Sequence, residues 1–395
     1  MQYQKPSLLY YRFTQAVSHV VAAFVFKRKL LRNEIRDAKG PFVVIANHQA
    51  AYDFVNLIGI CRRPMTFVIS NSFYQSLPIK GILNKLGVIP KQQFQTNATD
   101  LKKIRAVIHA GEPVVIYPAG LMCEDGLSTP IPAATGKLLK WLGVDVYMAK
   151  TSGTYFAMPK WTSGFRPGKT TLDVYKLFGK EELENMDLDA VEQRMMQALL
   201  FDAYREQETL LVKYKKANDL RGLENVLYSC PHCGAEFSIA VENGSTLRCQ
   251  SCGYSQTGDQ YGFLHKNGDI GQEIRYVSDW SRHIFGTVKE KLSRGEDTVL
   301  SAKTAIHMVD GKKYTHAGHG TVTLSPECFR IEGELKGEPV TLTIPIGSFP
   351  TLPFRPGSYL EIQDGQTIYR CVLEDGKLAM KFINMVKAFY ELKVK

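Results

Sequence analysis

The sequence predicts an α/β domain with a mostly parallel sheet, then a small four-cysteine ribbon, then a β-rich C-terminal domain closed by a helix. Three observations predict it. From residue 41 to about 175, short apolar runs alternate with helical patterns, as expected of strands covered by helices. Between 226 and 262, two Cys-x-x-Cys pairs stand fifteen residues apart. From about 299 onward, short strands are punctuated by Asp-Gly turns at 310, 364 and 375, and the chain ends in a helical pattern.

At 395 residues and 44% hydrophobic, the chain is long for one domain and apolar enough for more than one core. Lys plus Arg exceed Asp plus Glu by ten, which favours a polyanionic partner: an anionic membrane surface, nucleic acid or a phosphorylated substrate. Eight cysteines, half of them in the paired motifs, and no recognisable cleavable signal peptide fit a reducing compartment, so a cytoplasmic location is expected.

Residues 1–40 are expected to form an N-terminal membrane-interface helix. The window 7–26 is apolar, but Arg12, Gln15 and His19 interrupt it, and its uninterrupted part is too short to span a bilayer. Leu8, Leu9, Phe13, Val17, Val20, Val21 and Phe24 recur at helical spacing, and Lys27, Arg28 and Lys29 follow. A helix lying in the headgroup layer fits this pattern; so does a helix packed on the domain's own core. The first reading implies a peripheral or monotopic protein on the inner face of the membrane.

Residues 41–215 are expected to form the α/β domain. "PFVVIA", "MTFVIS", "PVVIYP" and "VDVYMA" read as buried strands, and Ile79 to Leu86, Leu101 to His109 and Gly136 to Leu142 as helices. Residues 186–211, with Asp187 as a cap, read as a closing helical tail. "VKYKKANDLRG" then reads as a solvated basic linker.

"NHQAAYD", residues 47–53, places His48 five residues before Asp53 at the end of the first strand. A histidine can take a proton from a hydroxyl near neutral pH, and a carboxylate beside it fixes its tautomer. Alone, such a pair is near chance level. Three further blocks follow in order: "LGVIP" at 86–90, "HAGEPVVIYPAG" at 109–120 and "GVDVYMA" at 143–149. Together the four resemble the blocks of the glycerolphosphate and lysophospholipid acyltransferase family over about residues 40–180.

The resemblance implies a role in phospholipid biosynthesis: transfer of a fatty acyl group from an acyl thioester, on coenzyme A or acyl carrier protein, to a lipid hydroxyl. His48 would be the general base and Asp53 its carboxylate; Asn47, Lys91, Gln93, Tyr117, Pro118, Ala119 and Gly120 would line the acceptor side. Two departures stand out. The second block has Gln93 where the family carries arginine, and the third reads Tyr117-Pro118-Ala119-Gly120-Leu121-Met122 where the family has Phe-Pro-Glu-Gly-Thr-Arg. A guanidinium grips a phosphate with paired hydrogen bonds, and neither Gln93 nor Met122 can. The acceptor is then a different, less polar hydroxyl or amine, or Arg62, Arg63, Lys91 or Lys137 replaces the grip; loss of activity is the third possibility.

Cys230, Cys233, Cys249 and Cys252 have the spacing of a closed tetrahedral site, and Gly234 and Gly253 follow each pair where a zinc knuckle turns. Four thiolates leave no open position, so a structural Zn2+ is expected, with His232 exposed between two ligands. Ribbons of this kind often bind nucleic acid, but 234–248 has few cations and no interleaved aromatics, so no nucleic acid partner is expected. Cys61, Cys123, Cys328 and Cys371 read as small core residues, with Cys123 close to the third block.

Residues 263–395 loosely resemble the pleckstrin-homology and GRAM group of β-rich domains in element order, and Met380, Ile383, Val386 and Phe389 mark one side of the last helix. His316 and His319 read as exposed histidines in a turn, without a third ligand of suitable spacing. Two other functions stay open: a non-catalytic lipid-binding or scaffold protein that keeps the fold, and a nucleic-acid-binding zinc protein.

Overall fold

The computed structural model describes residues 5 to 393 apart from 78, 94–96, 133, 311–312, 348 and 366. The chain divides into two compact units, Met1–Pro159 with Phe165–Tyr214, and Lys160–Gly164 with Lys215–Lys395.

The strands of the first unit are β1 (Arg28–Asn33), β2 (Phe42–Ala46), β3 (Thr66–Ser70), β4 (Ile89–Lys91), β5 (Val114–Ile116), β6 (Asp145–Ser152) and β7 (Thr170–Phe178). They form one sheet in the order β1-β7-β6-β2-β5-β3-β4. Only the β6–β7 pair is antiparallel among these neighbours. Every residue of β2 is buried, as a central parallel strand covered on both faces requires. Its side chains alternate: Val43 and Ile45 join Ile104, Leu139 and Val191 on one side, and Phe42, Val44 and Ala46 join Leu57, Met65 and Tyr11 on the other.

The helices of this unit are α1 (Leu8–Val20), α2 (Asp53–Ile58), α3 (Asn71–Ser76), α4 (Lys80–Lys85), α5 (Ala98–His109), α6 (Ala134–Leu142), α7 (Thr154–Ala157), α8 (Lys180–Asn185), α9 (Leu188–Leu199) and α10 (Ala203–Leu210). The tail expected over 186–211 is two helices. Asp187 accepts from the Ala190 N–H at 2.8 Å, and Asp202 starts a second helix by accepting from Tyr204 and Arg205. Strands β1 and β7 carry no apolar run strong enough to have been singled out in the sequence; four central residues of β1 are exposed.

Helix α1 is inverted relative to an ordinary surface helix. Its polar side faces the domain: Tyr11 is buried and its hydroxyl accepts from the Met65 N–H at 2.9 Å, Ser18 is buried, and Gln15 donates to the carbonyls of Ile58 and Cys61. Leu8, Leu9, Phe13, Val17, Val20 and Phe24 point outward, with Leu9 and Phe24 both 78% exposed. On β1, Leu30 and Leu31 are exposed as well. Arg28 is drawn in to donate to the Asn56 carbonyl at 2.5 Å, so of the three expected cations Lys27 and Lys29 stay exposed.

The solvated linker expected over 212–222 is not found. Tyr214 is buried in the first unit, where its hydroxyl donates to the Lys169 carbonyl at 2.8 Å, and Ala217 and Leu220 are buried in the second. Apolar residues at every third position sit among the lysines, and the charge run masks them.

In the second unit, β8 (Ile239–Glu242), β9 (Thr246–Cys249), β10 (Ser255–Gly258) and β11 (Leu264–Asn267) make an antiparallel sheet in the order β11-β10-β9-β8. Helix α11 (Val277–Ser293) follows, and the Nε1–H of its Trp280 donates to the Ser229 carbonyl at 2.8 Å. Next come β12 (Leu300–Asp310), β13 (Lys313–Leu324), β14 (Cys328–Leu335), β15 (Glu338–Pro345), β16 (Phe354–Arg355), β17 (Tyr359–Asp364), β18 (Thr367–Leu373) and α12 (Leu378–Lys393). These strands form an antiparallel sheet, β15-β14-β13-β12-β18-β17-β16. Met380, Ile383, Val386 and Phe389 of α12 are buried, and Phe382 packs on Phe329 with ring centroids 6.0 Å apart. Part of the turn expected at 310 falls outside the described residues. His316 and His319 are exposed, as expected, but they sit within β13 rather than in a turn.

Candidate active site and metal centre

In the parallel part of the first sheet, strand ends gather their following loops at one edge, the usual place for a site in such a layer. Asn47 follows β2 and clasps β6: its Nδ2 donates to the Thr151 carbonyl and its Oδ1 accepts from the Thr151 N–H, both at 2.8 Å. Both of its amide atoms are thus used in structure.

The chain then turns back, with the Asp53 N–H on the Ala50 carbonyl at 3.2 Å, which sets Asp53 at the start of α2. His48 Nδ1 lies 3.0 Å from Asp53 Oδ2, and that oxygen also accepts from the backbone N–H groups of Gln49 at 2.7 Å and Ala50 at 2.9 Å. An acceptor-only oxygen that already faces two N–H donors assigns the imidazole hydrogen to Nδ1. In the neutral ring, Nε2 is then the acceptor nitrogen. Asp53 is fully buried while the His48 side chain is 20% exposed, so the imidazole can be reached and the carboxylate cannot.

The loop after β5 closes over this pair. The Tyr117 ring lies 4.7 Å from the His48 ring, and the Cys123 N–H donates to the His48 carbonyl at 3.3 Å. Pro118 and Ala119 are buried, and Gly120, at φ +67°, takes the left-handed conformation that lets its N–H return to the Tyr117 carbonyl at 2.9 Å. Gln93 donates from Nε2 to the Gly120 carbonyl at 2.5 Å, tying the second block to the third. Lys91 ends β4 half-buried, and burial lowers the pKa of its ammonium. The Tyr117 hydroxyl is buried without a hydrogen-bond partner among the described residues. Burial, with the Asp53 charge adding to it, pushes this phenol well up, so it stays a donor at neutral pH.

Two of the cations considered as replacements lie elsewhere. Arg63 donates to the carbonyls of Gly40 and Gly111 and pairs with Glu112 at 3.0 Å, which places it where β2 and β5 begin, opposite the His48 end. Arg62 pairs with Asp37 at 2.7 Å on the surface. Lys137 is exposed on α6.

One buried network was not apparent in the sequence. Gln49, between the paired residues, accepts from the Thr154 hydroxyl and the Tyr155 N–H, both at 3.3 Å, and donates to Glu206 at 3.2 Å. Glu206 in turn pairs with Lys150 at 3.0 Å. Cys123 is fully buried with its thiol 3.4 Å from the Gln49 carbonyl, so it belongs to the wall of this site.

The paired cysteines converge in the second unit. Cys230 and Cys252 Sγ are 3.7 Å apart, Cys233 and Cys249 Sγ 3.8 Å, and all four sulfurs lie within 4.8 Å of one another. A tetrahedron built on metal–sulfur bonds of about 2.3 Å has edges of about 3.8 Å, so the residues fit a four-thiolate metal ion. Gly234 and Gly253 have φ +73° and +78°, and each returns its N–H to the first cysteine of its pair. His232 is exposed, as expected.

Residues 9–155 match the family model described as Acyltransferase, and this segment is an acyltransferase-family domain, as the ordered blocks implied. No curated protein matches the sequence. Among solved structures, the crystal structure of PlsC, the 1-acyl-sn-glycerophosphate (LPA) acyltransferase from Thermotoga maritima, is similar at 16% identity and a TM-score of 0.43, over 51% of this chain and 79% of that one.

Proposed function

We propose that the first unit transfers a fatty acyl group from an acyl thioester, on coenzyme A or acyl carrier protein, to a hydroxyl of a lipid-type acceptor. The observation that carries this reading is the His48–Asp53 pair, with its carboxylate buried, its imidazole accessible and Nδ1 directed at the carboxylate. The acceptor hydroxyl gives its proton to His48 Nε2 as its oxygen bonds to the thioester carbonyl carbon. Asp53, hydrogen-bonded to Nδ1, stabilises the imidazolium. Collapse of the tetrahedral intermediate breaks the carbon–sulfur bond, and the leaving thiolate takes the proton from His48.

The acceptor side is formed by Tyr117, Pro118, Ala119 and Gly120, with Gln93 and Lys91 from the second block and Asn47 bracing the strand end. It offers one half-buried ammonium and no guanidinium at the positions where the family has arginine, which supports an acceptor less polar than glycerol phosphate. Among the described residues no helix is long and apolar enough to cross a membrane. The outward apolar face of α1, flanked by Lys27 and Lys29, supports peripheral docking on an anionic lipid surface. The ion at the four cysteines is proposed to be a structural Zn2+.

The test is acyl transfer by wild type and His48→Ala against a panel of lysolipids, with both thioester carriers. Turnover by wild type that His48→Ala abolishes is the expected result. Absence of turnover on every acceptor would favour a non-catalytic lipid-binding role, a reading to which the departures at Gln93, Ala119 and Met122 lend weight.

A further inference from the structure

The outer face of the C-terminal sheet carries three histidines that acyl transfer does not use: His307 on β12, and His316 and His319 on β13. Residues three apart on a regular strand point to opposite faces. Here Ile306 pairs with Gly318 while His307 pairs with His316, so Ala317 is an extra residue in β13. The bulge turns His316 back onto the face of His319, and His307, directly opposite His316, shares it.

The rings meet accordingly. His316 and His319 have centroids 4.5 Å apart and Nε2 atoms 3.0 Å apart, and the His307 ring stands edge-on to His316 at 5.6 Å. On the far side, His319 faces Glu334 of β14.

Two imidazole nitrogens this close either share a hydrogen or share a metal ion. Metal–nitrogen bonds of about 2.0–2.1 Å at a tetrahedral angle set ligand nitrogens about 3.3 Å apart, near the observed separation. Arg370, which pairs with His307 across β18, directs its charge to Glu361 at 2.5 Å and stacks on Tyr314 and Tyr359.

We propose that His307, His316 and His319 form a surface site for a divalent transition-metal ion of the zinc, nickel or copper class, separate from the four-cysteine centre. His316 and His319 are the preset pair, and His307 joins them by rotating about its side-chain bonds. Glu334, the cross-strand partner of His319, stands on the same face of the sheet, and imidazole donors exclude magnesium and calcium as the preferred ions.

The full chain, purified with its cysteine centre loaded with zinc, is titrated with Ni2+ by calorimetry, and bound metals are counted after desalting. Wild type is expected to take up one further saturable equivalent. The His316→Gln, His319→Gln double variant is expected to lose it while keeping its zinc and its circular dichroism spectrum, and His307→Gln to weaken it about tenfold. A wild type with no saturable Ni2+ equivalent, or a double variant that retains it, overturns the proposal.

Discussion

Asp53 Oδ2 takes three donors at once, His48 Nδ1 and the N–H groups of Gln49 and Ala50, and under the proposed reaction this couples chemistry to folding at one atom. Asp53→Asn keeps an oxygen for the backbone donors but loses the charge that stabilises the imidazolium. Acyl transfer should fall on the order of 10²- to 10⁴-fold with little loss of stability. Asp53→Ala should add a stability loss of about 1–3 kcal/mol for each buried donor left unpaired, read as a lower midpoint in urea. Tyr117 makes the opposite case. Its hydroxyl is buried and unpartnered among the described residues, so Tyr117→Phe should leave stability equal or raise it by about 1 kcal/mol; a drop in turnover at the same time assigns the hydroxyl to substrate. The His48–Asp53 contact was legible because one turn joins the two residues and three further blocks follow them in order. Gln49 and Glu206 could not be paired in this way, since they stand 157 positions apart and no local pattern links a turn glutamine to a distant helix.

At the level of the element, α1 shows what periodicity does and does not specify. The spacing of Leu9, Phe13 and Val17, continued by Phe24 in the π-helical turn Val21–Val25, sets an apolar face, but the pattern is the same whether that face meets protein or lipid. The direction comes from Tyr11, Gln15 and Ser18, whose polar groups and small size fix the other face to the domain. Phe13→Glu and Phe24→Glu, both at exposed positions, should change stability by no more than about 0.5 kcal/mol. They should nevertheless abolish cosedimentation with anionic vesicles, and unchanged cosedimentation would remove α1 from the docking surface. The Lys-rich stretch after α10 misled in the reverse sense: its charges advertise solvent, while Tyr214, Ala217 and Leu220 are buried.

Across the whole molecule, each unit carries its own means of holding together: a two-sided parallel layer in the first, and in the second a sheet-and-helix core with a thiolate centre. Cys249→Ser should remove one metal ion per chain and let the amides of β8 to β10 exchange hydrogen rapidly, while those of β2, β5 and β6 keep their protection; mass spectrometry reads both. The sheet order of the first unit has a further consequence. Strand β1 has β7 as its partner, with Arg28 paired to Thr170, so the earliest strand made waits for one of the last. At about 5–20 residues per second of synthesis, the wait is roughly 7–30 s. Through that interval the emerging chain carries β1, with Leu30 and Leu31, without the partner that the finished sheet gives it.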